Sequence, residues 1–163
     1  MSRQAPIDYI ERTRDQYAAL GYPPYEWVSR SDPPELSPLK RPITQSKLAL
    51  IASGGIYRKG QIAFHFKDDY SYREISTDAP ISELRATHFA YDVRDAREDV
   101  NVVFPLDTLR RAVAEGRLGA LGPNAYTFMG GIYSARKVQN ILAPALADRL
   151  IDDEVDIALL VPA

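Results

Sequence analysis

Two short apolar runs limit what this chain can become. Leu48-Ala-Leu-Ile-Ala52 and Ile157-Ala-Leu-Leu-Val161 contain no polar residue, and each is too short for a buried helix. A strand that is apolar on both faces needs cover on both faces, which points to parallel strands between helical layers. The second run follows the acidic stretch Asp152-Asp-Glu-Val-Asp156, and only Pro162 and Ala163 come after it. In open α/β sheets, ligands bind beyond the carboxyl ends of the strands. The expectation is that the chain stops where a reactive loop would begin.

The rest of the chain supports an α/β reading. Residues 7–20 place Ile7, Ile10, Tyr17 and Leu20 among charges, with Pro6 before them and Gly21 after them, as a modestly amphipathic helix would. Residues 22–42 hold six prolines (Pro23, Pro24, Pro33, Pro34, Pro38 and Pro42) and read as an extended arm, with Trp27, Tyr22 and Tyr25 as packing anchors. A first strand is expected over residues 47–53 and an extended, polar stretch over 63–75. A short strand follows over 86–91, with His88 on one face and Phe89 and Tyr91 on the other. Residues 95–99 suggest a turn or short helix. Residues 105–115 predict a helix opened by Pro105 and closed by Gly116, with Leu106, Leu109 and Val113 on one side. Residues 119–131 read as a loop rich in glycine and aromatic side chains. Residues 133–153 read as a helix that Pro144 must kink or split. The expected fold is α/β: a mostly parallel sheet with flanking helices in Rossmann-like or flavodoxin-like layers, incomplete at the C-terminus. Residues 1–46 form its helix and proline-rich arm, and 47–163 the α/β domain, taken as the first part of a longer natural one.

Bulk properties narrow the function. The 163 residues suit about one domain, and 45% apolar with 26% charged residues is ordinary for a globular chain. A net charge of −2 lacks the basic footprint of nucleic-acid binding. No apolar run spans a membrane, and the start Met-Ser-Arg-Gln-Ala-Pro lacks the apolar core of a signal peptide. There is no cysteine, which excludes disulfides and thiolate metal sites within the chain. A cytoplasmic location is expected, and no metal site.

The chemistry-bearing positions cluster by type. Gly-Gly-Ile-Tyr occurs twice, at residues 54–57 and 130–133. Paired glycines let backbone approach a ligand, or simply make tight turns, and neither copy belongs to a dinucleotide fingerprint or a P-loop. Ser53, Gly54, Gly55, Gly130 and Gly131 are candidates for backbone contacts with a ligand. His65-Phe-Lys-Asp-Asp-Tyr70 is the densest polar cluster: a histidine near carboxylates suits a general base, and Lys67 or Arg73 suits a substrate carboxylate. His65, Asp68, Tyr70 and Arg73 therefore follow as pocket candidates, although Asp68-Asp69 is equally a turn signal. His88, Tyr91 and Asp92 form a third set, with a hydrogen-bonded structural role as the plainer reading of His88. Asn101 and Asp107 flank Val102-Val-Phe-Pro105, where either type can cap the helix that follows, and capping is the plainer reading of Asp107. A hydrolase reading lacks a nucleophile motif such as Gly-x-Ser-x-Gly.

In their order along the chain, five segments resemble the selenoprotein B family, which includes the B components of glycine, sarcosine and betaine reductases and the related D-proline reductase subunit. They are Leu48-Ala-Leu-Ile-Ala-Ser-Gly-Gly-Ile-Tyr57, Phe64-His-Phe-Lys-Asp-Asp-Tyr-Ser-Tyr-Arg73, Thr87-His-Phe-Ala-Tyr-Asp92, Asn101-Val-Val-Phe-Pro105 and Tyr126-Thr-Phe-Met-Gly-Gly131. The resemblance implies reductive carbon–nitrogen cleavage of a small amine or amino acid. It implies a selenocysteine or cysteine nucleophile and a pyruvoyl group on a partner subunit; a selenol suits the role because it ionises readily. Relatives continue past the strand matching 156–161 with selenocysteine or cysteine and then Pro-x-Cys-His, so the catalytic residue is expected just after Ala163. A UGA codon taken as a stop would explain the ending. A homo-oligomer is a further expectation, because a strand without its covering helix leaves apolar surface. The alternative is a non-catalytic α/β small-molecule-binding or assembly subunit.

Overall fold

A computed structural model of the chain describes residues 8–23, 28–29, 31–32 and 34–163. Pro6, Ile7, Pro24, Tyr25, Trp27 and Pro33 lie outside the described residues. The chain divides into two units, Met1–Leu36 and Ser37–Ala163. In the first unit, helix α1 (Tyr9–Ala19) starts at Asp8, whose carboxylate accepts the Glu11 amide at 2.9 Å, and ends before Gly21 at φ +75°. Tyr22 is exposed, and its ring lies 6.0 Å from that of Tyr17.

The second unit is built on a mixed, mostly parallel sheet. In chain order its strands are β1 (Lys47–Ala52), β2 (Ile56–Arg58), β3 (Tyr72–Ser76), β4 (Leu84–Ala86), β5 (Ala120–Leu121), β6 (Asn124–Phe128) and β7 (Ile157–Val161). The helices are α2 (Arg94–Glu98), α3 (Leu106–Ala114), α4 (Ala135–Lys137) and α5 (Ala143–Asp152). β1 is central. β5 runs parallel to its first residues and β6 to its last, while β7 pairs in parallel from Leu48 to Ala52. β3 adds an antiparallel partner to β6, and β2 with β4 makes a separate two-stranded sheet.

The apolar run of β1 is divided between two cores, as its pattern demands. Leu50 and Ala52 pack with Phe104, Leu106 and Val100 on one face, while Ala49 and Ile51 pack with Leu142, Leu146 and Tyr126 on the other. Burying a side chain such as Leu50 contributes about 1.5–3 kcal/mol. Asp156 fixes the register of β7: its carboxylate accepts the Lys47 amide at 2.9 Å, and its own amide bonds the Lys47 carbonyl at 2.9 Å.

Several expectations need correction. The segment 119–131 is not simply a loop. Gly122-Pro123 interrupts it, and the residues on either side pair with β1 as β5 and β6. The strand expected over 86–91 is instead β4, which ends where that stretch begins; residues 87–91 are irregular. Of the stretch 63–75, only Tyr72 onward is a strand. The break expected near Pro144 is present, as a π turn, Val138–Leu142, in which the Ala143 amide bonds the Val138 carbonyl. Pro144 has no N–H to give back to the preceding turn, and the helix widens just before it. Asn101, rather than Asp107, receives a free amide at the start of α3: its side-chain oxygen accepts the Asp107 N–H at 3.0 Å.

Candidate functional site

The carboxyl ends of β1, β6 and β7 meet at Ser53. Its amide donates to the Val161 carbonyl at 3.0 Å, its hydroxyl accepts the Ala163 amide at 3.0 Å, and its carbonyl accepts the Gly130 amide at 3.0 Å. One residue on, the Gly54 carbonyl accepts the Tyr91 hydroxyl at 2.9 Å. Gly55 donates to the Phe128 carbonyl at 3.1 Å and accepts the Thr87 amide at 3.0 Å. Thr127 seals the turn from below, where its buried hydroxyl oxygen accepts the Ile56 amide at 3.0 Å.

This crowding explains the glycines. Gly55 sits at φ +65°, and a Cβ there would lie 1.9 Å from the Thr87 carbonyl oxygen, so only glycine fits. A Cβ on Gly54 would meet Val103 at 2.9 Å, and one on Gly130 would press on Ala163, His88 and Ser53, each at 3.3 Å. Gly131 has open space beside it.

His88 is a strut in this cluster. It is 7% exposed, its Nδ1 accepts the Ala90 amide at 3.0 Å, and its Nε2 lies 3.2 Å from the Gly130 nitrogen. Because Nδ1 is an acceptor, the ring proton is assigned to Nε2, which faces the Ser53 carbonyl. Burial lowers its pKa below the ordinary 6.5, and the Ser53 carbonyl opposes that shift only in part. A second proton would have to sit on Nδ1, against the Ala90 N–H. The Tyr91 ring lies 4.6 Å from the His88 ring, so the two share a side instead of facing opposite ways as strand alternation predicts. Burial pushes the Tyr91 phenol up, which keeps it protonated and able to donate.

His65, Asp68, Tyr70 and Arg73 form a second group. Asp68, at φ +50°, accepts the Ser134 amide at 3.1 Å and pairs with Lys137 at 3.1 Å, and Lys137 lies over the Tyr70 ring at 4.6 Å. The Ser134 amide, and after it Lys137, hold the Asp68 carboxyl below the usual range. The Nδ1 of His65 accepts the Lys67 amide at 3.1 Å, and its ring stacks on Phe66. Arg73 donates to the Ile62 carbonyl at 2.7 Å and to the Ser71 hydroxyl at 2.8 Å, and lies over Phe64. These side chains tie their loop to itself and to the start of α4. Phe66 reaches Phe89, one residue from His88, at 6.0 Å between ring centres. Asp92 is exposed and paired with Arg94, apart from both groups.

The structure thus gathers Ser53, Gly54, Gly55, His88, Tyr91 and Gly130 at the strand ends, with Gly131 at their border. Sequence reasoning missed Thr127, hidden in the segment read as loop, and Lys137 as the partner of Asp68. Ser134, three residues before Lys137, carried a usable helix-start signal: its hydroxyl caps the Lys137 amide.

Fold and site together define an α/β protein whose clustered polar backbone lies at the carboxyl ends of parallel strands, the usual place for a ligand in such sheets. The glycine/sarcosine/betaine reductase selenoprotein B family matches residues 28–163, and the chain belongs to that family. It is 31% identical over 134 residues to the D-proline reductase subunit gamma of Acetoanaerobium sticklandii, covering 82% of this chain and 55% of that protein. It is 29% identical to glycine reductase complex component B subunit gamma from Carboxydothermus hydrogenoformans, over 58% of this chain and 23% of that protein. The corresponding subunit from Symbiobacterium thermophilum is also 29% identical, over 76% of this chain and 30% of that protein. The chain therefore spans about half the length of the first relative and less than a third of the other two. No solved structure matches significantly.

Proposed function

We propose that this chain is the substrate-binding portion of a reductase component that cleaves a carbon–nitrogen bond in a small amine or amino acid. The observation that supports the reading best is the junction at Ser53, where three parallel strands end among backbone amides, carbonyls and the Tyr91 hydroxyl. On this reading the bonds among Ser53, Gly54, Gly55 and Tyr91 fix the junction, and the substrate is received beside the exposed Gly130 and its neighbour Gly131, next to which there is open space. The selenol or thiol nucleophile comes from outside these 163 residues, since the chain has no cysteine. The pyruvoyl group stays with a partner subunit.

Calorimetric titration with glycine, sarcosine, betaine and D-proline tests this, on the chain and on the protein carried past codon 163. Saturable binding of one of them, weakened by Gly130→Val, is the expected outcome. No binding by either form overturns the substrate class.

One observation favours a second reading, a non-catalytic binding or assembly subunit: His88 is held neutral with its ring nitrogens engaged by backbone, which leaves no free base at the junction. The coding DNA separates the two. An in-frame UGA followed by codons for Pro-x-Cys-His supports the reductase reading, and a UAA or UAG stop supports the second.

A further inference from the structure

Residues 59–71 leave β2 and return to β3 as a loop that holds itself together. The Asp69 carboxylate accepts the His65 amide at 2.8 Å and the Ser71 amide at 2.9 Å. From β3, Arg73 reaches back to the Ile62 carbonyl and over the Phe64 ring, and the Gln61 side chain donates to the Glu74 carbonyl at 2.8 Å. Phe64 is 4% exposed, yet it belongs to neither of the two cores that cover β1. A loop whose ends are joined and whose interior is filled by its own side chain is an Ω-loop, a cooperative unit in its own right.

The tip of this loop carries its ties to two other segments. Phe66 meets Phe89, and Asp68 accepts the Ser134 amide and pairs with Lys137, which also lies over Tyr70. Phe89 follows His88, whose Nε2 lies beside the Gly130 nitrogen, and Ser134 comes three residues after Gly131. The tip therefore touches both segments that flank the opening beside Gly131. The Asp68 and Lys137 side chains keep 24% and 39% of their surface in water, which screens their attraction and makes the pair easy to exchange for hydration. Phe66 and Phe89 also remain largely exposed, so little packing opposes their separation. At the start of the loop, Gly60 sits at φ +97° with open space beside it and can absorb a change of chain direction.

We propose that residues 62–70 form a strap at the rim of the strand-end junction that swings as one piece, with Asp68 and Lys137 as its latch. The bonds inside the strap survive the motion. Those from Asp68 to Ser134 and Lys137 break, Phe66 leaves Phe89, and the opening beside Gly131 widens. The proposal deepens the reading of that opening as the place where a ligand is received. Its test uses no ligand, so either can fail while the other stands.

The test is relaxation-dispersion NMR and amide hydrogen exchange on the isotopically labelled 163-residue chain, compared with Lys137→Met and Asp68→Asn. Asparagine tolerates the positive φ of residue 68 as aspartate does, so that change removes the charge without backbone strain. Residues 65–70 and Ser134 are expected to share one exchange process, with the released population raised about threefold in each variant. The His65 and Ser71 amides keep their protection, and the β1 amides serve as the control for an intact fold. Because the chain has no cysteine, Gly131→Cys places a single thiol in the opening. Its reaction with a bulky maleimide is expected to quicken by a similar factor when Lys137→Met is added. Three outcomes overturn the proposal: no shared exchange in either variant, loss of protection at His65 and Ser71 together with Ser134, or thiol labelling that Lys137→Met leaves unchanged.

Discussion

Gly55 is the residue on which the strand-end junction depends most directly. Its positive φ and the 1.9 Å approach of a would-be Cβ to the Thr87 carbonyl leave no room for alanine. Gly55→Ala is expected to cost about 3 kcal/mol or to abolish folding, through strain and forced backbone movement. Gly131→Ala, with open space around it, should melt close to the parent. Thermal denaturation of the two variants compares them directly. His88 makes a pH-dependent contribution whose sign follows from its lowered pKa. The unfolded chain takes up the proton first as pH falls below 6.5, so the folded state binds fewer protons and loses stability in that direction. Urea titrations at stepped pH should show this acid-side slope, and His88→Gln should flatten it.

At the scale of elements, β6 is held in place by more than its ladder. Thr127 supplies the acceptor for the buried Ile56 amide, which starts β2. Thr127→Val keeps the shape and removes the acceptor, and is expected to cost about 1–3 kcal/mol in chemical denaturation. A cost near zero would mean that Ile56 finds another acceptor. The elements differ in how legible they were. β1, β7 and α3 could be read because an apolar run or a helical spacing continues for five residues or more. β5 and β6 were obscured because Gly122 and Pro123 break the signal, and because Tyr126 and Phe128 among glycines look like loop residues. β2 and β4, at three residues each, are too short to carry a period. The pairing of His88 with Tyr91 was misjudged for a related reason: the alternation of a strand was extended past Ala86, where the strand ends.

For the whole molecule, β7 is the exposed feature. Among the described residues it pairs only with β1, and Leu160 is 69% exposed. An apolar strand with an open edge invites pairing with another chain. Size-exclusion chromatography with light scattering should show self-association that Leu160→Lys reduces. A parent chain that stays monomeric at all concentrations refutes this. No helix among the described residues is long and apolar enough to cross a membrane.

The amino-acid sequence by itself determined the class of fold. Two runs apolar on both faces can be buried only between layers, and helices with one apolar side supply those layers. It also carried the family resemblance, because ordered motifs survive without coordinates. Only the tertiary structure decided which candidates meet. Ser53, the segment holding His88 and Tyr91, and Gly130 are distant from one another in sequence, and their meeting depends on β1, β6 and β7 ending side by side. His65, Asp68, Tyr70 and Arg73 looked equally reactive, yet backbone and side-chain bonds within and beside their loop occupy them. Chemical type is local, but availability is set by which neighbours the fold brings within hydrogen-bonding distance.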